Sequence, residues 1–368
     1  MHMKITCSKN DLLNGLNIAL RAVPGKTTMP ILESFLIDAA GDIRINTNDN
    51  DMGIETIIEG RIDSPGKIAV NARLFSEIVR KLPDNMVTID TSSSFKIKVT
   101  CEDSEFVLNG SNPNEFPELP RATTENKITM SQFTLKEIIR QTIFSIAQND
   151  ANQIMRGELF EITDNKIKVV SLDSHRISIR KEELAMEYAP CKVIVPGKTL
   201  NEISRIISTE KEEMVDITFD QKFIKFAFGK TVVVSRLIEG EYFDVERMIS
   251  SDYETSVRVN RVDFYNSLDR AFTLTREGEK KPVILDIRDG EMNIDITSSV
   301  GTMNSHLYIN KEGKDLVIGF NPRFFIEALK VIDDEEITIF FVNSNAPCFI
   351  KNKEGDYMYI ILPVNINR

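Results

Sequence analysis

The stretches "NARLFSEIVRKL" (71–82), "PGKTLNEISRII" (196–207) and "NPRFFIEALKVI" (321–332) are one pattern written three times. Arg73, Lys198 and Arg323 stand at equal intervals; each is followed four positions on by a glutamate (Glu77, Glu202, Glu327) and seven positions on by a second cation (Arg80, Arg205, Lys330). That spacing puts the charges on one helix face. The opposite stripe is expected to hold Leu74/Ile78, Leu200/Ile203 and Phe325/Leu329. The middle copy contains Gly-Lys-Thr, which raises a phosphate cradle as an alternative. A P-loop needs G-x-x-x-x-G-K-[ST], and the first glycine would fall on Lys192. The Gly-Lys-Thr copies at 25–27 and 229–231 fail in the same way, with Leu20 and Ile224 in that place. The tripeptide therefore reads as a helix start. A chain using it as an enzyme would hydrolyse ATP.

Further landmarks recur around the helix. "GDIRINTND" (41–49), "NKIKVVSLD" (165–173) and "GEMNIDITS" (290–298) alternate polar and apolar residues as half-buried strands do. Ahead of them, Leu12/Leu16/Leu20, Leu135/Ile139/Ile143 and Phe264/Leu268/Phe272 mark a first helix face. After each second helix comes more alternation: "MVTIDTSSSFKIKVT", "MVDITFDQKFIKFAF" and "EITIFFVNSNAPCFI". Helix, strands, helix, strands over roughly 120 residues makes an ordinary domain. The expected architecture is α+β, three copies of two helices packed on antiparallel sheets. Boundaries in "PRATTENK" (120–127) and "SSDYETS" (250–256) give domains 1–126, 127–252 and 253–368.

The 368 residues carry a net charge of −11, which argues against nucleic-acid binding by bulk charge while leaving room for one basic surface. Cys7, Cys101, Cys191 and Cys348 lie far apart with no C-x-x-C, so neither a zinc site nor a disulfide framework is indicated, and they read as reduced core thiols. No apolar run reaches the ~18 residues of a membrane span and no signal peptide is evident, so an intracellular, cytoplasmic protein is expected. Met1-His2 ahead of Met3 has the look of a cloning remnant. A lone His175 at a strand end, with no Cys/His cluster in sequence, reads as structural.

On these residues the chain resembles the bacterial DNA polymerase III beta subunits, the replicative sliding clamps. The resemblance covers essentially the whole chain and rests on the threefold repeat with "GSNPNEFPELP" (110–120), "VVSLDSHRISIR" (169–180), "LIEGEYFDVERMI" (237–249) and "YIILPVNI" (359–366). It implies a non-catalytic, cofactor-free and metal-free protein that closes as a head-to-tail homodimer into a six-domain ring around double-stranded DNA. Its implied partners are the polymerase III catalytic subunit, an ATP-dependent clamp loader and other proteins bearing a clamp-binding motif. It assigns DNA contact to Lys26, Arg73, Asn149 and Gln153, with Arg80, Lys198 and Arg205 added by helix position. Phe106 and Leu108 on one side and Leu274 on the other match the dimer contact.

A partner-peptide groove is implied at Met155, Leu172, Ser174, His175, Arg176, Ile177, Phe243, Arg247, Met248, Ile360, Ile361, Leu362, Pro363 and Val364. Arg176 and Arg247 are expected at its rim, binding polar or carboxylate groups. Three departures from the family stand out: Ser174 replaces a glycine, Phe243 replaces a proline, and "ANQI" (151–154) lacks the aromatics that relatives carry there. A three-domain scaffold with no nucleic-acid role is the other alternative, and it would show no salt-dependent retention on DNA.

Overall fold

The computed structural model describes residues 2–120, 126–149, 152–249, 252–275 and 281–366. Residues 121–125 and 250–251 of the two expected boundaries, and Ala151, lie outside the described residues. The chain forms two compact units, Met1–Leu135 with Lys198–Leu237 and Lys136–Gly197 with Ile238–Arg368.

Among the described residues six α-helices occur where the repeats place them: α1 (Lys9–Ala19), α2 (Ala72–Lys81), α3 (Gln132–Thr142), α4 (Gly197–Ile206), α5 (Arg261–Phe272) and α6 (Pro322–Leu329). Short polar side chains start four of them. Ser8, Asn71, Asn260 and Asn321 each accept a hydrogen bond from a first-turn amide that the helix itself leaves unsatisfied.

Two expectations about the buried faces need correction. In α2 the residue equivalent to Leu200 and Phe325 is Phe75, fully buried, whereas Leu74 is 50% exposed. The first-helix stripes also turn outward at their ends. Ala19, Thr142 and Ala271 are buried, while Leu20 and Ile143 are only half-buried and Phe272 is exposed. At 3.6 residues per turn, position i+7 returns closer to the starting face than i+8, so a small residue there outranks a larger one beyond it.

In the first unit, five antiparallel strands run in the order Arg61–Ser64, Lys4–Ser8, Met86–Thr91, Lys96–Cys101, Ser104–Asn109. An eight-stranded sheet runs Asn126–Ser131, Met214–Phe219, Phe223–Phe228, Thr231–Arg236, Met52–Ile58, Ile43–Asn48, Ser34–Asp38, Lys67–Asn71. It crosses a repeat boundary where Thr231–Arg236 pairs with Met52–Ile58, Val233 lying opposite Ile54.

The second unit holds a seven-stranded sheet: Gly157–Leu172, Arg176–Pro196, Tyr357–Ile361, Cys348–Lys351, Glu336–Phe341, Thr255–Asn260, Asn310–Gly313. It crosses the next boundary in the same way, with Tyr359 opposite Ser178. Its four-stranded sheet runs Gly301–Tyr308, Glu291–Ser298, Val283–Arg288, Leu316–Phe320. These sheets explain why the middle repeat divides between the units: each half shares a hydrogen-bonded sheet with a different neighbour.

Candidate functional site

In the first unit, the helix cations differ in what holds them. Lys26 and Arg80 are exposed and make no ion pair among the described residues. Arg73, also exposed, donates to the Pro24 carbonyl at 3.3 Å, which brings α2 against the segment carrying Lys26. Lys198 is paired with the carboxylate of Asp49. Arg205 pairs with Glu202 at 3.2 Å, and Glu202 also meets Arg21 at 3.7 Å. The expected net-positive face is therefore partly neutralised from within.

The Gly-Lys-Thr of α4 is fully used by packing. A Cβ on Gly197 would lie 2.2 Å from the Ile146 side-chain tip and 3.0 Å from the Arg156 carbonyl, so the glycine sits in close packing. The Thr199 hydroxyl is buried and bonded to Ser235 at 2.7 Å. Neither Gly197 nor Thr199 is free to hold a phosphate or a magnesium ion.

Within the second unit, Asn149 and Gln153 are exposed, Gln153 opening a short 3-10 turn to Arg156. Met155, Leu172, Ile177, Phe243 and Ile360 meet in one apolar cluster, whose floor also includes Val170, Ile179, Ile194 and Phe349. Period-two alternation from Leu172 and Ile177 points to Val170 and Ile179, because i and i±2 share a strand face. Met248 and Leu362 are exposed, at 49% and 39%, and Ser174 and His175 are exposed on the turn between the long strands. The Leu362 amide donates to the His175 carbonyl at 2.9 Å, fastening the C-terminal segment along the groove.

Two groove expectations are corrected. Arg176 is buried rather than on the rim. Its guanidinium bonds Asp173 at 3.1 Å, the Phe144 carbonyl at 2.6 Å and the Glu327 carboxylate, and lies 4.8 Å from the Phe324 ring centroid. Those partners engage all three of its guanidinium nitrogens, so it locks the turn to α6. Ile361 points the other way, into the C-terminal hydrophobic core, because it alternates with Ile360. Val364 bonds the Gly319 carbonyl at 2.8 Å and ties the tail to the four-stranded sheet. Arg247 is 86% exposed and paired with Asp244 at 2.8 Å. His175 rests edge-on against Phe324, a structural contact.

Beneath the cluster lies a residue that the sequence reading missed, Glu158. Its carboxyl is fully buried with both oxygens unsatisfied, and burial pushes its pKa up to about 8 against a smaller opposing influence from Thr142. Nearby, the Tyr242 hydroxyl sits 3.3 and 3.2 Å from the Gly157 and Val170 carbonyls. Of the cysteines, Cys7, Cys101 and Cys348 are buried thiols as expected, but Cys191 is only partly covered.

The expected interface residues lie at sheet edges. Phe106 is 38% exposed and Leu108 half-buried on Ser104–Asn109, the open edge of the five-stranded sheet. Leu274 stands beside Gly301, at the start of the open edge of the four-stranded sheet. Among the described residues no helix is long and apolar enough to cross a membrane.

Residues 3–120, 129–244 and 246–365 match, in turn, the N-terminal, central and C-terminal domains of the DNA polymerase III beta subunit. A beta sliding clamp of Staphylococcus epidermidis is 33% identical, over 98% of this chain and 99% of its own length. Among solved structures, the Bacillus subtilis DNA polymerase sliding clamp is 31% identical, covers both chains in full and superposes with a TM-score of 0.96. A Eubacterium rectale protein solved as a candidate DNA polymerase III beta subunit is 54% identical over both full lengths, with a TM-score of 0.97.

Proposed function

This chain belongs to the DNA polymerase III beta subunit family, the bacterial sliding clamps, and from that premise we propose how its parts work. It is a non-catalytic processivity subunit, acting by tethering: a polymerase held to a ring on DNA rebinds its primer end at an effective concentration near millimolar. Its place of work is the cytoplasm, its repeats are 1–126, 127–252 and 253–368, and the ring is a head-to-tail homodimer.

The observation that supports the ring is the repeated sheet junction. The last strand of the second repeat pairs with a strand of the first, and the last strand of the third pairs with the matching strand of the second. One strand of each kind is left over, Ser104–Asn109 and Gly301–Tyr308, and both are open edges. Applying the internal register to them sets Ser104, Phe106 and Leu108 opposite Ser305, Met303 and Gly301 of the partner subunit. Leu108 then covers the glycine beside Leu274, joining the three interface residues in one contact. A heterologous contact whose rotation closes makes a ring.

Inside the ring, Lys26, Arg73, Arg80 and Arg205, with Asn149 and Gln153, meet the phosphates, and Lys198 stands among them on α4. Phosphate contacts carry no sequence information, which suits a ring that must slide. The groove floored by Leu172, Ile177 and Ile360 takes the apolar anchors of a short peptide, Met155 and Met248 adapting to different partners. Polymerase catalytic subunit, ATP-dependent loader and other motif-bearing proteins compete for it, and ATP is consumed by the loader.

The test is chemical cross-linking in register. Paired strand residues approach within disulfide range. Phe106→Cys with Met303→Cys should oxidise to a covalent dimer, and Leu274→Asp should give folded monomers by ultracentrifugation. Dimers of Leu274→Asp at micromolar concentration, or no cross-link, would refute this interface.

A further inference from the structure

Two of the acidic groups beside the helix cations are paired with cations that stay exposed to solvent. The Asp49 side chain is only 4% exposed. One of its oxygens accepts from the Asp51 and Met52 amides at 3.0 and 2.7 Å, which fixes the carboxylate on its turn, and the other receives Lys198. The turn is itself anchored: Arg236 donates its amide to the Asp51 carbonyl at 2.8 Å and its Nε to the Asn50 carbonyl at 3.2 Å. One helical turn beyond Lys198, Glu202 sits between Arg205 and Arg21. Lys26 and Arg80 have no such ion pair among the described residues, and Arg73 is turned toward a carbonyl, which leaves its charge uncompensated.

We propose that Asp49 is an affinity-limiting residue of the DNA-facing surface, competing with DNA phosphate for Lys198 and keeping that cation out of the contact. The proposal rests on the DNA-encircling reading above and divides its residues into two classes. Lys26, Arg73 and Arg80 meet phosphate directly, whereas Lys198 does so only when Asp49 releases it. A phosphate at Lys198 must displace a fixed carboxylate, so binding there releases fewer counterions than at an open lysine. The surface is thereby kept loose without losing its cations.

Asp49→Asn removes the charge and keeps the oxygen that accepts the two amides, so the turn is retained; a thermal melt checks the fold. Anisotropy of a short labelled duplex is measured across a range of NaCl for wild type, Asp49→Asn, Lys198→Ala and the double variant. The expected result is a slope of log affinity against log salt steeper by about 0.9 for Asp49→Asn, unchanged for Lys198→Ala, and back to wild type in the double variant. A slope shallower by about 0.9 for Lys198→Ala alone would show that this lysine already touches phosphate and would overturn the proposal. An unchanged slope in Asp49→Asn would overturn it as well, leaving the pair a structural link only. Failure of the underlying reading looks different: wild type itself would show no salt-dependent binding.

Discussion

The two places where a sheet crosses a repeat boundary share a backbone and differ in what it carries. At the first, the Asp49 amide bonds the Met52 carbonyl at 3.0 Å; at the second, the Asp173 amide bonds the Arg176 carbonyl at 3.1 Å. Each aspartate spends one carboxylate oxygen on two following amides. From there the side chains diverge. Where the first junction has Asn46, Glu55 and Val234, the second has Val170, Ile179 and Ile360. The first consequently bears a cavity of about 740 Å3 lined with ion-paired Arg44, Glu55, Asp38 and Lys67, and the second a cluster of apolar side chains. Pairing of strands builds a junction; the polarity of its outward face decides whether it can take apolar anchors.

The largest test of this contrast removes a cation from each junction. Arg176→Ala leaves Asp173 and Glu327 facing a buried gap and is expected to cost about 3–5 kcal/mol in urea denaturation, whereas Lys198→Ala, losing an exposed partner, should cost under about 1 kcal/mol. Equal losses would erase the distinction between a buried lock and a surface clasp.

Next comes the carboxyl beneath the groove. Glu158 has a folded pKa of about 8 against a usual 4.5. Below the unfolded value both states hold the proton and there is no penalty. As pH rises from there to about 8 the unfolded chain alone is ionised, so stability falls by about 1.4 kcal/mol per unit, and it levels off above. The stabilisation of Glu158→Gln over wild type should therefore grow by roughly 3 kcal/mol between about pH 5 and pH 7.5. A pH-independent difference would mean that the buried carboxyl is hydrated.

A peptide with a Gln near its start and two large apolar residues near its end should bind at the second junction and not at the first. Leu362→Asp, at an exposed wall position, is expected to weaken it roughly 30-fold or more by fluorescence titration, while Val234→Asp leaves affinity unchanged. The smallest effect concerns the first junction's own polar link. Thr56 and Thr231 share a buried hydrogen bond of 2.9 Å. Either one changed to Val should cost about 1–2 kcal/mol, and both together less than the sum.

Periodicity and caps made the helices and strands legible, since Asn71 and Asn321 stand where helix starts were expected. Leu172, Ile177 and Ile360, named together from the sequence, do share one apolar cluster. Facing was less so: Leu74 and Phe75 are neighbours of similar character, and only the packed sheet decides which turns inward. Least legible were Arg176 and Glu158. The fate of each depends on groups elsewhere in sequence, Phe144 and Glu327 for the arginine and the burying elements and Thr142 for the glutamate. Composition says only that such residues are usually exposed.

The turn aspartates carry one more lesson, about how copies of a domain grow apart. One oxygen keeps the hairpin folded, so the other can be reassigned between copies without disturbing the backbone. Lys198 takes it in the first copy and Arg176 in the second. In the third copy the position is Ser298, whose hydroxyl lies 3.3 Å from the Val300 amide and 3.4 Å from the Gly301 carbonyl. That turn carries no charge at this position, beside the open edge Gly301–Tyr308. Asymmetry among three like parts has been written into a single atom, with the fold indifferent to the choice.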